Sequence, residues 1–272
     1  MNVLARIVAQ KHSEIAAARS RGAEPRSPLG LPRKVGDGGL DVVRALRRPS
    51  GEPLRLLAEV KFKSPSAGEL SRILDAPSRA VAYAEGGACM VSVLCDATFF
   101  GGSFDDLLRV RQALDARGLA VPLLAKEFVV DPIQLDWALA HGADAVLIIA
   151  RIVRPEQVQE LAREAVLRGL EPLIEVTTEG ERDVALEAGA RVLGVNARDL
   201  DTLALDSTRA SRVLAGIPAD RVAIHLSGIK SPDDVRAIAA GRADAALVGE
   251  VLMRQDDPTS FLRNLVSAAG HA

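Results

Sequence analysis

Eight short apolar runs, each rich in Val, Leu and Ile, recur from residue 54 onward: 54–62, 89–95, 121–128, 145–150, 171–177, 192–197, 222–227 and 245–249. Segments of helical periodicity separate them, among them 103–117, 131–141, 155–168, 179–188 and 231–240. Near-continuous apolar strands need both sheet faces covered, and strands alternating with helices supply that cover in a parallel sheet. Eight such units within about 220 residues predict an α/β chain closed into a (β/α)8 barrel. An open doubly wound sheet is the competing arrangement, but no G-x-G-x-x-G turn follows the first run.

Local punctuation agrees with this division. Asp131-Pro132, Ser231-Pro232 and Asp257-Pro258 each place a side-chain acceptor before a proline suited to a first helical turn. Gly87, Gly142, Gly189 and Gly241 are expected to close helices in the left-handed conformation. HGADAVLIIA (141–150) and GRADAALVGE (241–250) resemble each other as repeated βα units would. Ahead of the barrel, Val3, Leu4, Ile7, Val8 and Ile15 have helical spacing, and 22–39 is a Gly-, Pro- and Arg-rich loop. The chain therefore reads as one barrel domain over 1–272, with 1–50 an N-terminal helical extension and loop.

Composition narrows the partners. Lys+Arg 34 against Asp+Glu 36, a net charge of −2, gives no call for a nucleic-acid backbone or an anionic membrane. Phe 6, Trp 1 and Tyr 1 are too few for a base-stacking platform, and two cysteines cannot hold a structural zinc alone. Cys89 and Cys95, both assigned to the second strand, read as small core residues. No run approaches the roughly 20 apolar residues of a membrane span, and Arg6, Lys11 and Glu14 interrupt any signal-peptide core, so a soluble cytoplasmic protein is expected. His12, His141 and His271 are expected in solvent, and Trp137 against the barrel exterior.

Only six of the basic residues are lysines, and three of them (Lys61, Lys63 and Lys126) lie in or just after strands, where an exchangeable proton is a reason to prefer ammonium over guanidinium. Barrel active sites form at the C-terminal strand ends, and polar residues appear there repeatedly. Glu59, Lys61 and Lys63 fall at period two, as do Asn196 and Arg198. Lys126-Glu127, Glu175, Ser227-Gly228 and Gly249-Glu250 end other runs. One such residue would be a strand end meeting water. Several charges converging on one rim cost several kcal/mol each unless paired. Pairing among Glu59, Lys61, Lys126 and Glu175 would also tune their protonation, which predicts acid–base chemistry. Gly228, Gly249 and Glu250 offer backbone N–H groups where barrels hold phosphate, with Lys61 across the closure as counter-charge; plain turns are the other reading.

The segments AEVKFKSPSAGEL (58–70), VSVLCDATFFGGS (91–103), LLAKEFVVDP (123–132), LIEV (173–176), GVNARDL (194–200) and SGIKSPDDV (227–235) resemble indole-3-glycerol phosphate synthase, in order and over nearly the whole chain. The resemblance implies a TIM barrel with an extra N-terminal helix. It also implies conversion of 1-(2-carboxyphenylamino)-1-deoxyribulose 5-phosphate to indole-3-glycerol phosphate, carbon dioxide and water, without metal or organic cofactor. Lys126 then matches the general acid, Glu59 the carboxylate orienting it, Glu175 the general base, and Lys61 a helper for the leaving group or phosphate. Asn196 and Ser227 match substrate contacts, Arg198 and Ser64 grip the carboxylate, and Pro65, Phe100, Phe128, Leu200 and Leu203 wall the ring. The sequence leaves the oligomeric state open, a monomer and a weak association with other enzymes of tryptophan biosynthesis both being allowed.

One departure stands out. The family usually has Glu-Ser-Gly after the seventh strand, whereas here Leu226 precedes Ser227-Gly228. Alternation points Leu226 inward and His225 toward the helices. Glu127, where Asp is commoner, departs less. Two other readings remain: a phosphosugar barrel such as phosphoribosylanthranilate isomerase, which would want a cysteine late in the first strand, and a catalytically silent or altered-specificity paralogue that binds a ligand or partner.

Overall fold

In the computed structural model, residues 3–21, 40–64, 68–71, 73–199, 202 and 204–270 are described. All eight apolar runs form strands: β1 (Arg55–Val60), β2 (Met90–Leu94), β3 (Leu123–Lys126), β4 (Ala145–Ile149), β5 (Glu171–Val176), β6 (Val192–Asn196), β7 (Val222–Leu226) and β8 (Ala245–Val248). Each pairs in parallel with its sequence neighbour, and β1 meets β8 through Arg55↔Ala245 to Ala58↔Val248, closing the barrel. The helices are α1 (Val3–Ser20), α2 (Val42–Leu46), α3 (Ala76–Glu85), α4 (Ala97–Phe100), α5 (Phe104–Ala116), α6 (Ile133–Ala140), α7 (Pro155–Leu167), α8 (Glu179–Glu187), α9 (Ser207–Ala215), α10 (Pro232–Ala239), α11 (Glu250–Met253) and α12 (Pro258–Ala268).

Alternation along the strands divides the apolar residues between two cores. Leu57, Leu124, Leu147, Leu173, Ile224 and Leu247 pack inside the barrel, whereas Leu56, Val91, Val146, Ile174 and Leu193 pack between sheet and helices. Two N-terminal helices complete the inner core. Leu4 and Ile7 of α1 join it at the C-terminal rim. Helix α2, too short to show a period, closes the opposite end: Leu46 is fully buried, and Arg47 donates to the carbonyls of Ala219, Asp220 and Arg221 just before β7.

The caps follow the sequence with two corrections. Ser231 and Asp257 accept from the Asp234 and Ser260 amides as expected. Helix α6, however, starts one residue late, with Pro132 at its N-cap and Asp131 accepting from the Ile133 amide. Gly87, Gly142 and Gly189 are left-handed, but Gly241 is not: α10 ends on right-handed Ala240, and the Gly241 amide bonds back to Ile238. The repeated segments are equivalent in space. Asp144 and Asp244 each accept the amide at the start of the preceding strand, from Leu123 and Ala223, both at 2.9 Å, and each pairs with an arginine, Arg111 or Arg242.

Other expectations change in detail. Lys63 does not share the face of Glu59 and Lys61. Alternation lapses where β1 ends at Val60, and an unpredicted hairpin (63–64 with 68–69) leaves Lys63 exposed opposite Glu69. Cys89 and Cys95 flank β2 rather than lie in it, half-buried and buried respectively. Trp137 packs edge-on to Phe104 on the barrel exterior. His12 is exposed. His141 is instead half-buried, with Nδ1 2.7 Å from the Trp137 carbonyl oxygen and its ring against Phe104. His271 lies outside the described residues.

Candidate active site

The inward position nearest the rim is polar on four strands: Glu59 on β1, Lys126 on β3, Glu175 on β5 and Asn196 on β6. On β2, β4, β7 and β8 the corresponding positions are Leu94, Ile149, Leu226 and Leu247. All eight line one cavity of about 400 Å³ at the C-terminal rim, with polar and apolar positions interleaved around the ring.

Among the polar residues, Lys126 Nζ lies 3.3 Å from Glu175 Oε2, while Glu175 Oε1 accepts from Asn196 Nδ2 at 2.9 Å. Asn196 Oδ1 accepts in turn from Ser227 Oγ at 2.7 Å and from the Arg198 amide at 2.9 Å. Glu59 holds Lys61, with Oε1 2.7 Å from Nζ. The hydrogen bond of Lys126 goes to Glu175, and Glu59, expected to orient this lysine, acts on it through space. The spacing of residues 59 and 61 lets Lys61 fold back onto Glu59, which sequence could not rank against the longer-range pair.

Electrostatics set the protonation. Burial pushes the Glu59 carboxyl up, but Lys61 and Lys126 outweigh it and hold it below the ordinary carboxylate value. Burial pulls the Lys126 ammonium down, but Glu175 and Glu59 outweigh that and raise it. Lys126 therefore carries its proton through the neutral range, facing ionised Glu59.

The phosphate candidates lie on the β7 and β8 side of the cavity. Ser227 and Gly228 are consecutively left-handed (φ 68 and 89), a conformation that costs a non-glycine residue of order 1–3 kcal/mol and clusters at functional sites. This turn carries Gly228, Ile229 and Lys230 along the cavity wall. A Cβ at Gly249 would meet Glu59 Oε1 at 2.7 Å, so a side chain there would displace the tip of that carboxylate. The Glu250 carboxylate pairs with Arg254 at 2.9 Å, which leaves its backbone N–H as the group suited to an anion. Phe100 and Phe128 line the cavity with ring centroids 5.7 Å apart, and Ser64 and Arg198 also border it. Pro65, Leu200 and Leu203 lie outside the described residues. Leu226 points inward as alternation predicts, 2% exposed, and its Cδ1 fills the space above the Gly194 Cα. His225 points away; burial pulls its imidazole below the ordinary value, leaving it neutral near pH 7.

Sequence reasoning missed Val3, Leu4 and Ile7, which form the cavity's outer wall, and also Ile149, Lys230, Leu247 and Arg254. The periodicity of α1 was visible, but not the surface it covers. Among the described residues, no three His, Cys, Asp or Glu side chains are set to hold a metal ion, and no helix is long and apolar enough to cross a membrane.

A closed parallel barrel with paired ammonium and carboxylate groups in a cavity at its C-terminal rim places the chain in the class of (β/α)8 barrel enzymes. The model of the indole-3-glycerol phosphate synthase family matches residues 4–265, and the chain belongs to that family. Indole-3-glycerol phosphate synthase of Mycobacterium ulcerans is 44% identical over 232 residues, covering 85% of this chain and 82% of that protein. The Mycobacterium avium counterpart is 43% identical with the same coverage. Among solved structures, thiamine phosphate pyrophosphorylase from Pyrococcus furiosus shares the fold at TM-score 0.61 and 16% identity, over 80% of this chain and 96% of that one. A 3-hexulose-6-phosphate synthase does so at TM-score 0.60 and 15% identity, over 79% and 99%.

Proposed function

We propose that this chain is an indole-3-glycerol phosphate synthase in which Lys126 is the general acid and Glu175 the general base. The observation that carries the assignment is the Lys126–Glu175 pair, 3.3 Å apart inside the cavity with Glu59 ionised nearby. In the first stage the substrate's carboxylated ring carbon attacks the ketone, and Lys126 Nζ gives its proton to the ketone oxygen as the new carbon–carbon bond forms. Loss of carbon dioxide returns the bonding electrons to the ring. In the second stage Glu175 takes a proton from the methylene carbon beside nitrogen as hydroxide leaves, with Lys61 protonating the departing oxygen. Asn196 and Ser227 hold the sugar hydroxyls. Arg198 and Ser64 hold the carboxylate until it departs, Lys61 with the Gly228, Gly249 and Glu250 backbone receives the phosphate, and the ring lies against Phe100 and Phe128. No cofactor enters these steps. A small-molecule substrate fits a cytoplasmic enzyme working without nucleic acid or membrane. The test is direct: supplied with 1-(2-carboxyphenylamino)-1-deoxyribulose 5-phosphate, the protein generates indole fluorescence. Tight binding without turnover would instead establish the silent paralogue.

Leu226 is the departure from the family pattern that bears on that second reading. Its register partner on β6 is Asn196, so an acceptor at this position would stand beside the sugar-binding amide. Leu226→Glu is expected to raise kcat/KM about tenfold, the equivalent of one charge-assisted hydrogen bond to a substrate hydroxyl. An unchanged or lower kcat/KM would show that Leu226 leaves the site unimpaired.

Glu59 stabilises the ammonium form of Lys126. Removing that negative charge favours the free amine, so in Glu59→Gln the alkaline limb of the kcat/KM profile moves to lower pH than in the native enzyme. A limb that stays in place would separate Glu59 from the acid.

A further inference from the structure

Lys11, on the N-terminal helix, is 3% exposed, although a lysine on an amphipathic helix ordinarily reaches solvent. It lies one turn beyond Ile7, the residue through which α1 meets both the inner core and the cavity. Its Nζ is 2.8 Å from Asp96 Oδ2, 3.2 Å from Glu127 Oε1 and 3.0 Å from Glu14 Oε2. The first two carboxylates are each tied to main chain that carries a ring-binding residue. Asp96 Oδ1 accepts from the Phe99 and Phe100 amides at 2.6 and 3.1 Å, and Glu127 Oε1 accepts from the Phe128 amide at 2.6 Å. Glu127 also follows Lys126 directly in sequence. One buried ammonium therefore joins three walls of the apolar chamber: α1 with Leu4 and Ile7, α4 with Phe100, and the end of β3 with Phe128.

The loop behind Phe100 leaves little play. A Cβ at Gly102 would come within 1.9 Å of the Leu94 carbonyl oxygen, so this loop rests against the end of β2. With one side seated on backbone, the spacing between Phe100 and α1 is set from the Lys11 side. Burial pushes the Glu127 carboxyl up to about 7 even with Lys11 beside it, which marks the cluster as poor in compensating charge. Without Lys11 the Glu127 carboxyl would take up a proton, and the ammonium tying α1 to both carboxylates would be gone, leaving α1 free to shift against the Phe100 loop.

We propose that Lys11 is a positioning residue that, through Asp96 and Glu127, fixes the width of the chamber receiving the substrate's carboxyphenyl ring. The inference rests on the synthase reading for the identity of that ring. Lys11 touches neither the reacting atoms nor the phosphate site, so it governs how tightly the ring is held rather than the proton transfers.

The experiment compares the native chain with Lys11→Met, which keeps the length and apolar stem of the side chain. Two inhibitors are titrated: the substrate analogue with its ketone reduced to an alcohol, which carries the ring, and ribulose 5-phosphate, which lacks it. In Lys11→Met, KM and the inhibition constant of the aryl analogue are expected to rise about tenfold, with kcat and the ribulose 5-phosphate constant within about twofold of native. Equal weakening of both inhibitors would reduce Lys11 to a general structural role and overturn the proposal. So would a fall in kcat without a change in KM. If Lys11→Met does not fold, Asp96→Asn keeps the acceptor for the Phe99 and Phe100 amides while removing the charge facing Lys11, and the same selective loss is expected. Failure of the native protein to turn over the substrate counts against the synthase reading; native turnover with an unselective variant counts against Lys11 alone.

Discussion

In Lys126→Ala, carbon dioxide release and indole formation are expected to fall together by about 10²–10⁴-fold, the span that one positioned general acid contributes. Both products are lost because the proton from Nζ enters at ring closure, ahead of decarboxylation and dehydration. Binding of the reduced aryl analogue should persist, since the Phe100–Phe128 wall and the glycine turns at Gly228 and Gly249 do not depend on the lysine. Substrate-level chemistry is the right readout because Lys126 is largely sheltered and paired with a still more deeply buried Glu175, 17% and 2% exposed. Retained turnover within tenfold of native would move the acid elsewhere, with Lys61 the next ammonium in the cavity.

Glu175→Gln is expected to separate the two products. Glutamine keeps an acceptor for Asn196 Nδ2, now 2.9 Å from Glu175 Oε1, but cannot take a proton. Dehydration then loses its base while ring closure keeps its acid, so indole formation drops by about 10²–10⁴-fold and carbon dioxide release drops less. In a single turnover the gas is expected first and the fluorescence later, with a longer lag than in the native enzyme. The substitution also removes the carboxylate nearest Lys126 Nζ, so some loss in the first stage is built in. Equal losses for both products would contradict the division of labour and make Glu175 a partner of the acid instead of the base.

These two residues were visible in the sequence because each ends an apolar run, where a charge has no reason to be unless a rim collects it. Glu59 and Asn196 were visible for the same reason, and the inward direction of Leu226 followed from alternation along five residues of strand. Lys63 shows where that reasoning stops: period two holds only while the ladder lasts, and β1 ends at Val60. Gly241 and His141 differed because helix ends and half-buried rings answer to packing against neighbouring elements more than to residue type. Lys11 was indistinguishable from any surface lysine of an amphipathic helix.

The sequence by itself determined the order and kind of nearly every element, the closure into a barrel, and the side chains that stand at its rim. These depend on periods of two and 3.6 residues, and so on neighbours a few positions apart. Only the tertiary structure decided who pairs with whom: Lys126 with Glu175 rather than Glu59, and Lys11 with a carboxylate 116 residues away. A buried charge settles on the partner that best offsets its lost hydration, and that partner is set by the curvature of the closed sheet and the seat of α1 upon it.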